Sequence, residues 1–322
     1  MTVAILPELQ AELDRVEAAV GGVPDIVDLT PEQNRDLNNR YNAPLNVDLP
    51  ELAEIRLFEF PANADLATPP IEGIVYRPTV ARRGKVFFVH GGGWAVCHLR
   101  SHERFLRMLA IEAQCEVIGI DYRLAPEHPF PAAINDVTAG LRTLLDHANE
   151  LGLDPGPTVV SGDSAGANLG LGMMVGEVQA GRALPKGAVL YYGPYSQDFD
   201  QPSYRYFAEG YGLTLSALKH IWKQYLPNLV SAEDPRAVPL SMDDATLATL
   251  PRIDLLAAEL DPVTSDSVLL RRRLDTLGRP GTLHIEPGVT HGFLQMTSKV
   301  EAARRATLLI GQLVREQLDA AK

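Results

Sequence analysis

The chain is poor in cysteine: Cys97 and Cys115 are the only two among 322 residues, and no C-x-x-C pair occurs. This excludes a disulfide framework and a cysteine-built structural zinc site, and two free thiols fit a reducing compartment. No segment holds the roughly eighteen uninterrupted apolar residues of a membrane-spanning helix. A basic stretch ahead of an apolar run is also missing near Met1, where Glu8, Glu12, Asp14 and Glu17 stand instead, unlike a signal peptide. A cytoplasmic protein is expected. Positive charge is scarce, with 29 basic against 41 acidic residues and a net charge of −12, which opposes nucleic acid and anionic membrane surfaces as partners. A small neutral molecule fits better. No metal site is complete either: His98 and His102 are four apart but lack a further ligand, and solvation at a helix start accounts for them. The glycine run at His90-Gly91-Gly92-Gly93 is followed by no Lys-Ser or Lys-Thr, so a phosphate-cradling P-loop is disfavoured, and no cofactor is expected.

A hydrophobic content of 46% supports a sizeable core. From about residue 85 strand-like runs alternate with helical ones. The strands are Val86–Val89, Glu116–Asp121, Thr158–Ser161, Ala188–Tyr192, Arg252–Ala258 and Leu283–Glu286. The helices are Ser101–Gln114, Ala132–Asn149, Ala165–Gln179, Val263–Leu277 and Phe293–Leu318. That alternation predicts a doubly wound α/β fold, a mostly parallel central sheet with helices on both faces. Ile55–Phe60 and Ile71–Tyr76 have no helix between them and read as an antiparallel pair at the sheet edge. Two segments break the pattern. Residues 1 to about 45 carry an amphipathic helix, Pro7–Ala19, and then a Pro- and Asn-rich stretch; residues 195 to about 236 carry a helix at Leu215–Tyr225. Both are placed to form a helical cap over a catalytic domain of residues 46–322, although Met1–Ala19 packed on the outside of the sheet satisfies the pattern equally.

Gly162-Asp163-Ser164-Ala165-Gly166 fits the G-x-S-x-G pattern that sets a serine on a tight strand-to-helix turn, and it lies between a β-branched strand and a helix of small residues. His90-Gly91-Gly92-Gly93, rarer by composition, follows the apolar run Lys85–Val89 and matches loops that offer backbone donors to an oxyanion. Together they point to a serine hydrolase. A serine hydroxyl needs a base and an acid that orients it. Of eight histidines, His291 follows the last strand on a loop returning to the strand ends. His284 lies within a strand, His220 within a helix, His90 in the glycine loop, and His128 between prolines. For the acid, Asp261 stands directly after the strand Ile253–Ala258, with Asp266 and Glu259 as rivals and a helix cap as its plainer role. Ser164, Asp261 and His291 then follow the chain order of α/β hydrolases.

The motifs His90-Gly91-Gly92-Gly93-Trp94, Asp121 to Ala132 (DYRLAPEHPFPA), Gly162–Gly166, Asp261-Pro262 and His291-Gly292-Phe293 occur in the order of the hormone-sensitive-lipase-like family of α/β-hydrolase carboxylesterases, which the chain resembles from about residue 50 onward. The resemblance implies a cytoplasmic esterase, often a homodimer, acting on short- to medium-chain acyl esters beneath a helical cap. It implies oxyanion donors at Gly92, Gly93 and Ala165, and a scaffold role for residues 121–132. Val263-Thr264-Ser265 and Thr290 depart from the family pattern and bear on the pocket. Amidase, formamidase and lactonase activity remain open on the same triad, as does a non-catalytic small-ligand receptor on this fold. Trp94, Tyr195, Phe207 and Leu213 are candidate pocket walls.

Overall fold

A computed structural model describes residues 4–228 and 233–320. Residues 1–3 and 229–232 of the two expected cap segments, and the last two residues of the chain, lie outside the described residues. Helices α1 (Pro7–Val20) and α2 (Pro31–Asn42) come first, followed by strands β1 (Glu54–Phe60), β2 (Ile71–Arg77) and β3 (Lys85–Val89). Next are α3 (Glu103–Ala113), β4 (Glu116–Ile120), α4 (Ala132–Asp146), β5 (Thr158–Asp163), α5 (Ala165–Gln179) and β6 (Gly187–Tyr191). The chain continues through α6 (Pro202–Tyr206), α7 (Leu215–Tyr225), α8 (Asp244–Thr249), β7 (Arg252–Leu260), α9 (Thr264–Thr276), β8 (Leu283–Thr290) and α10 (Glu301–Asp319).

The strands form one sheet in the order β1-β2-β4-β3-β5-β6-β7-β8. Pairs β1–β2 and β2–β4 are antiparallel and the rest parallel, so the edge hairpin and the parallel sheet expected from sequence are both present. Every residue of β3, β4, β5 and β6 is buried, as parallel strands covered on both faces must be. Helices α3 and α10 pack together on one face, and α4 and α5 on the other. The chain steps from β3 out to β4 and returns to β5 beside β3, which makes the gap between β3 and β5 a topological switch point. Open α/β sheets bind ligands outside the strand carboxyl ends at such a point. Here those ends deliver Gly92, Gly93 and Ser164 to one crevice.

Three local expectations are corrected. The Pro- and Asn-rich stretch contains α2, started by Pro31 and a capping box in which Thr30 Oγ1 accepts the Gln33 amide and Gln33 Oε1 accepts the Thr30 amide. The helix read as Phe293–Leu318 is a 3₁₀ turn, Phe293–Met296, followed by α10. The one read as Ala132–Asn149 ends at Asp146, and a separate 3₁₀ turn covers Ala148–Leu151. No helix among the described residues is long and apolar enough to cross a membrane.

Candidate active site

Ser164 stands between the last residue of β5 and the first of α5, with φ 52° and ψ −123°. That is a strained conformation for a residue with a side chain, and its amide is fixed by a 2.9 Å bond to the Tyr191 carbonyl. The turn closes because Gly166 has no Cβ: one there would overlap the Val89 carbonyl at the end of β3. The serine hydroxyl is therefore raised at the amino end of α5, whose first amides have no partner inside the helix.

His291 follows β8 directly and reaches back over this end. Its Nε2 lies 2.8 Å from Ser164 Oγ and its Nδ1 2.7 Å from Asp261 Oδ2. Asp261 follows β7, is fully buried, and accepts the Val263 amide on Oδ1 at 3.1 Å. Burial works against a charged His291, but attraction to Asp261, their hydrogen bond and the more distant Asp163 outweigh it and hold the imidazole above its usual range. The structure thus brings together the three residues that sequence reasoning singled out. Gly92, Gly93 and Ala165 border the same cavity, and their amides donate to no acceptor among the described residues.

A model of the α/β-hydrolase fold matches residues 86–295, and a carboxylesterase of Mycobacterium tuberculosis is 35% identical over 260 residues, covering 80% of this chain and 81% of that protein. The chain is an α/β hydrolase of the carboxylesterase family. An ethyl acetate hydrolase of Pseudomonas putida is 32% identical across 72% of this chain and 73% of its own. The crystal structure of a thermostable esterase from Pseudomonas putida superposes with a TM-score of 0.90 at 27% identity, covering 98% of each chain.

Above Ser164 the esterase has a cavity of about 590 Å³ that is partly open to solvent. Residues from α1, α2, the loop Gly210–Leu213 and α7 line it together with the strand-end loops, so both non-sheet segments border the site. Of the four candidate wall residues, Trp94 and Leu213 face the cavity. Tyr195 is buried behind it, and Phe207 packs on Tyr211 with ring centroids 5.2 Å apart. Sequence patterns carry no depth information that could have separated the two pairs.

Two further residues were misjudged from sequence. His102 is not a solvated helix start: it is 3% exposed, and its Nε2 lies 3.1 Å from Asp163 Oδ2. Asp163 is itself buried. Burial alone would raise its pKa, but His102 and the Gly91 amide more than compensate and hold it below the usual carboxylate range. Asp266, weighed as a rival acid to Asp261, is instead fully buried in the first turn of α9. Its Oδ2 accepts the amides of Tyr195 and Ser196 at 2.7 and 2.8 Å and the Tyr204 hydroxyl at 3.0 Å. The rival to Asp261 thus holds the start of the second insertion. Among the described residues no group of His, Cys, Asp and Glu is arranged to hold a metal.

Scaffolding around the glycine loop comes from residues 121–132. Tyr122 donates to the His90 carbonyl at 2.9 Å and stacks on the His90 ring, and the Ala125 amide donates to the Trp94 carbonyl at 2.8 Å. His90 turns its Nδ1 to the Gly91 carbonyl at 2.7 Å, and burial drives its pKa down to about 3, so it stays neutral.

Proposed function

We propose that the chain hydrolyses short- to medium-chain acyl esters by two-step acyl transfer through Ser164, His291 and Asp261. Ser164 Oγ attacks the ester carbonyl as its proton passes to His291 Nε2. Asp261 holds the Nδ1–H tautomer and balances the imidazolium charge. The amides of Gly92, Gly93 and Ala165 take up the charge that develops on the carbonyl oxygen, aided by the amino end of α5. His291 then protonates the departing alcohol. Water, deprotonated by the same histidine, attacks the acyl-enzyme and releases the acid.

The observation that carries this reading is the unbroken line from Asp261 to His291 to Ser164, with both contacts below 3 Å. It equally supports an enzyme over a receptor, because binding alone requires no base on the serine. The named activities of the relatives, ethyl acetate hydrolase and acetyl esterase, favour the short end of the acyl range. A series of p-nitrophenyl esters from acetate to decanoate, read as kcat/KM, tests the length preference. Ser164→Ala tests the mechanism and is expected to lower turnover on the order of 10⁴-fold or more with the fold intact. Matched ester and amide substrates separate esterase from amidase activity.

A further inference from the structure

The cavity over Ser164 has two unlike walls. One is apolar, built by Trp94, Leu213, Leu218 and Ile221. Facing the same space is a row of primary amides from α2: Asn34, Asn38 and Asn42 all line it. Residues four apart in a helix share a face, so the row is a property of the helix and not of any one rotamer. All three positions would be taken by leucine or alanine in a helix packed only for burial.

The protein consumes these amides only in part. Asn38 Oδ1 accepts from Cys97 Sγ at 3.2 Å and from Asn42 Nδ2 at 3.0 Å, leaving Asn38 Nδ2 and Asn42 Oδ1 without a protein partner among the described residues. Asn34 is 9% exposed, and its side chain makes no hydrogen bond among the described residues. The wall therefore offers both donors and an acceptor to whatever lies against it. Hydroxyl groups, which donate and accept, can satisfy both. An alkyl chain would strip water from the amides and return nothing, and that asymmetry gives polar pockets their discrimination. Asp14 and Glu17 border the same cavity and disfavour an anionic substituent.

Building on the acyl-transfer reading above, we infer that the preferred ester carries an uncharged, hydroxyl-bearing substituent, as in a partial ester of a polyol or an ester of a polyhydroxy acid. The α2 amides receive this substituent, and Asn34 is its specificity-determining contact. The rest of the ester packs on the apolar wall.

Two matched pairs test this with the full chain. Glyceryl 1-acetate is compared with 2-methylbutyl acetate, and ethyl 2,3-dihydroxypropanoate with ethyl 2-methylbutanoate, each rate normalised to alkaline hydrolysis. In at least one pair the hydroxylated member is expected to lead in kcat/KM by about tenfold or more, the scale of one unsatisfied buried polar group. Asn34→Leu should bring that ratio near one and Asn34→Gln should keep most of it; Asn34→Ala makes the same comparison if leucine is not accommodated. Absence of a preference in both pairs, or one that Asn34→Leu and Asn34→Ala leave unmoved, overturns the inference. Turnover of only the alkyl members would overturn it while leaving acyl transfer standing, whereas no turnover of any of the four would count against acyl transfer itself.

Discussion

The carboxylate of Asp163 accepts the backbone amide of Gly91 at 2.8 Å, joining the residue before the serine to the residue before two of the proposed oxyanion donors. Its second oxygen faces His102, the residue directly before α3. One buried anion thus sets the distance between elbow and glycine loop, which no strand hydrogen bond reaches. Asp163 is a positioning residue. Asp163→Asn should lower kcat by on the order of tenfold to a hundredfold, within the range for a misplaced oxyanion donor, with KM changed less than about threefold. Steady-state kinetics on p-nitrophenyl acetate check this; a rise in KM at constant kcat would assign Asp163 to substrate binding instead.

In the proposed mechanism the acid limb of kcat/KM reports His291, which must be neutral to accept the serine proton. Its pKa is held above the ordinary histidine value, so activity should fall as pH drops through a point above that value. Asp261→Asn removes the main charge that raises it. The remaining activity, lower on the order of 10⁴-fold, should show its acid limb at lower pH. A limb that stays in place would mean another group controls it.

Asp266 titrates at about 7 because burial outweighs the three donors on its Oδ2. A carboxyl whose folded pKa exceeds its unfolded value binds its proton more tightly when folded. Its contribution is present below about pH 4 and is lost as pH rises toward 7. Asp266→Asn keeps an acceptor for Tyr195, Ser196 and Tyr204 and carries no charge. Urea unfolding at pH 5 and pH 8 should show the variant gaining on the wild type at the higher pH; a pH-independent difference would remove the carboxyl from the ionisation balance.

Arg35 pins α2 to the loop beyond the glycines: Nε donates to the Ala95 carbonyl at 2.9 Å, and Nη2 to the Ala125 carbonyl at 3.0 Å. Its guanidinium also pairs with Glu127. Arg35→Leu should raise KM by roughly threefold to tenfold and expose the link between α1 and α2, residues 21–30, to limited proteolysis. Arg35→Lys cannot reproduce the fork and should restore little. Unchanged KM and protease resistance would show that α2 is held by its packing alone.

The sequence reveals whatever is encoded in consecutive residues. The elbow is legible because Gly162, Ser164 and Gly166 answer to one local turn, and β3 to β6 because burial on both faces favours compact apolar runs. His291 and Asp261 are legible through their places at strand ends. Contacts between distant segments are not: Asp163, His102 and Asp266 meet partners 61 to 72 residues away. α2 is hidden because asparagine is a weak helix former; Thr30, Pro31 and Gln33 held the signal. The amide row follows from that helix and stays invisible until it is drawn.

The helix that opens the chain docks on residues near its other end. The Leu6 amide bonds the Gly288 carbonyl at 2.8 Å, and Glu8 accepts the amide of Ala302. During synthesis α1 is therefore made long before the strand and helix that receive it. Elbow and glycine loop can assemble on the central strands first, while the roofed cavity waits for β8 and α10. His291, which follows β8, and the α1 part of the roof over it both depend on this final stretch, and a chain lacking it has no surface on which to seat its own α1.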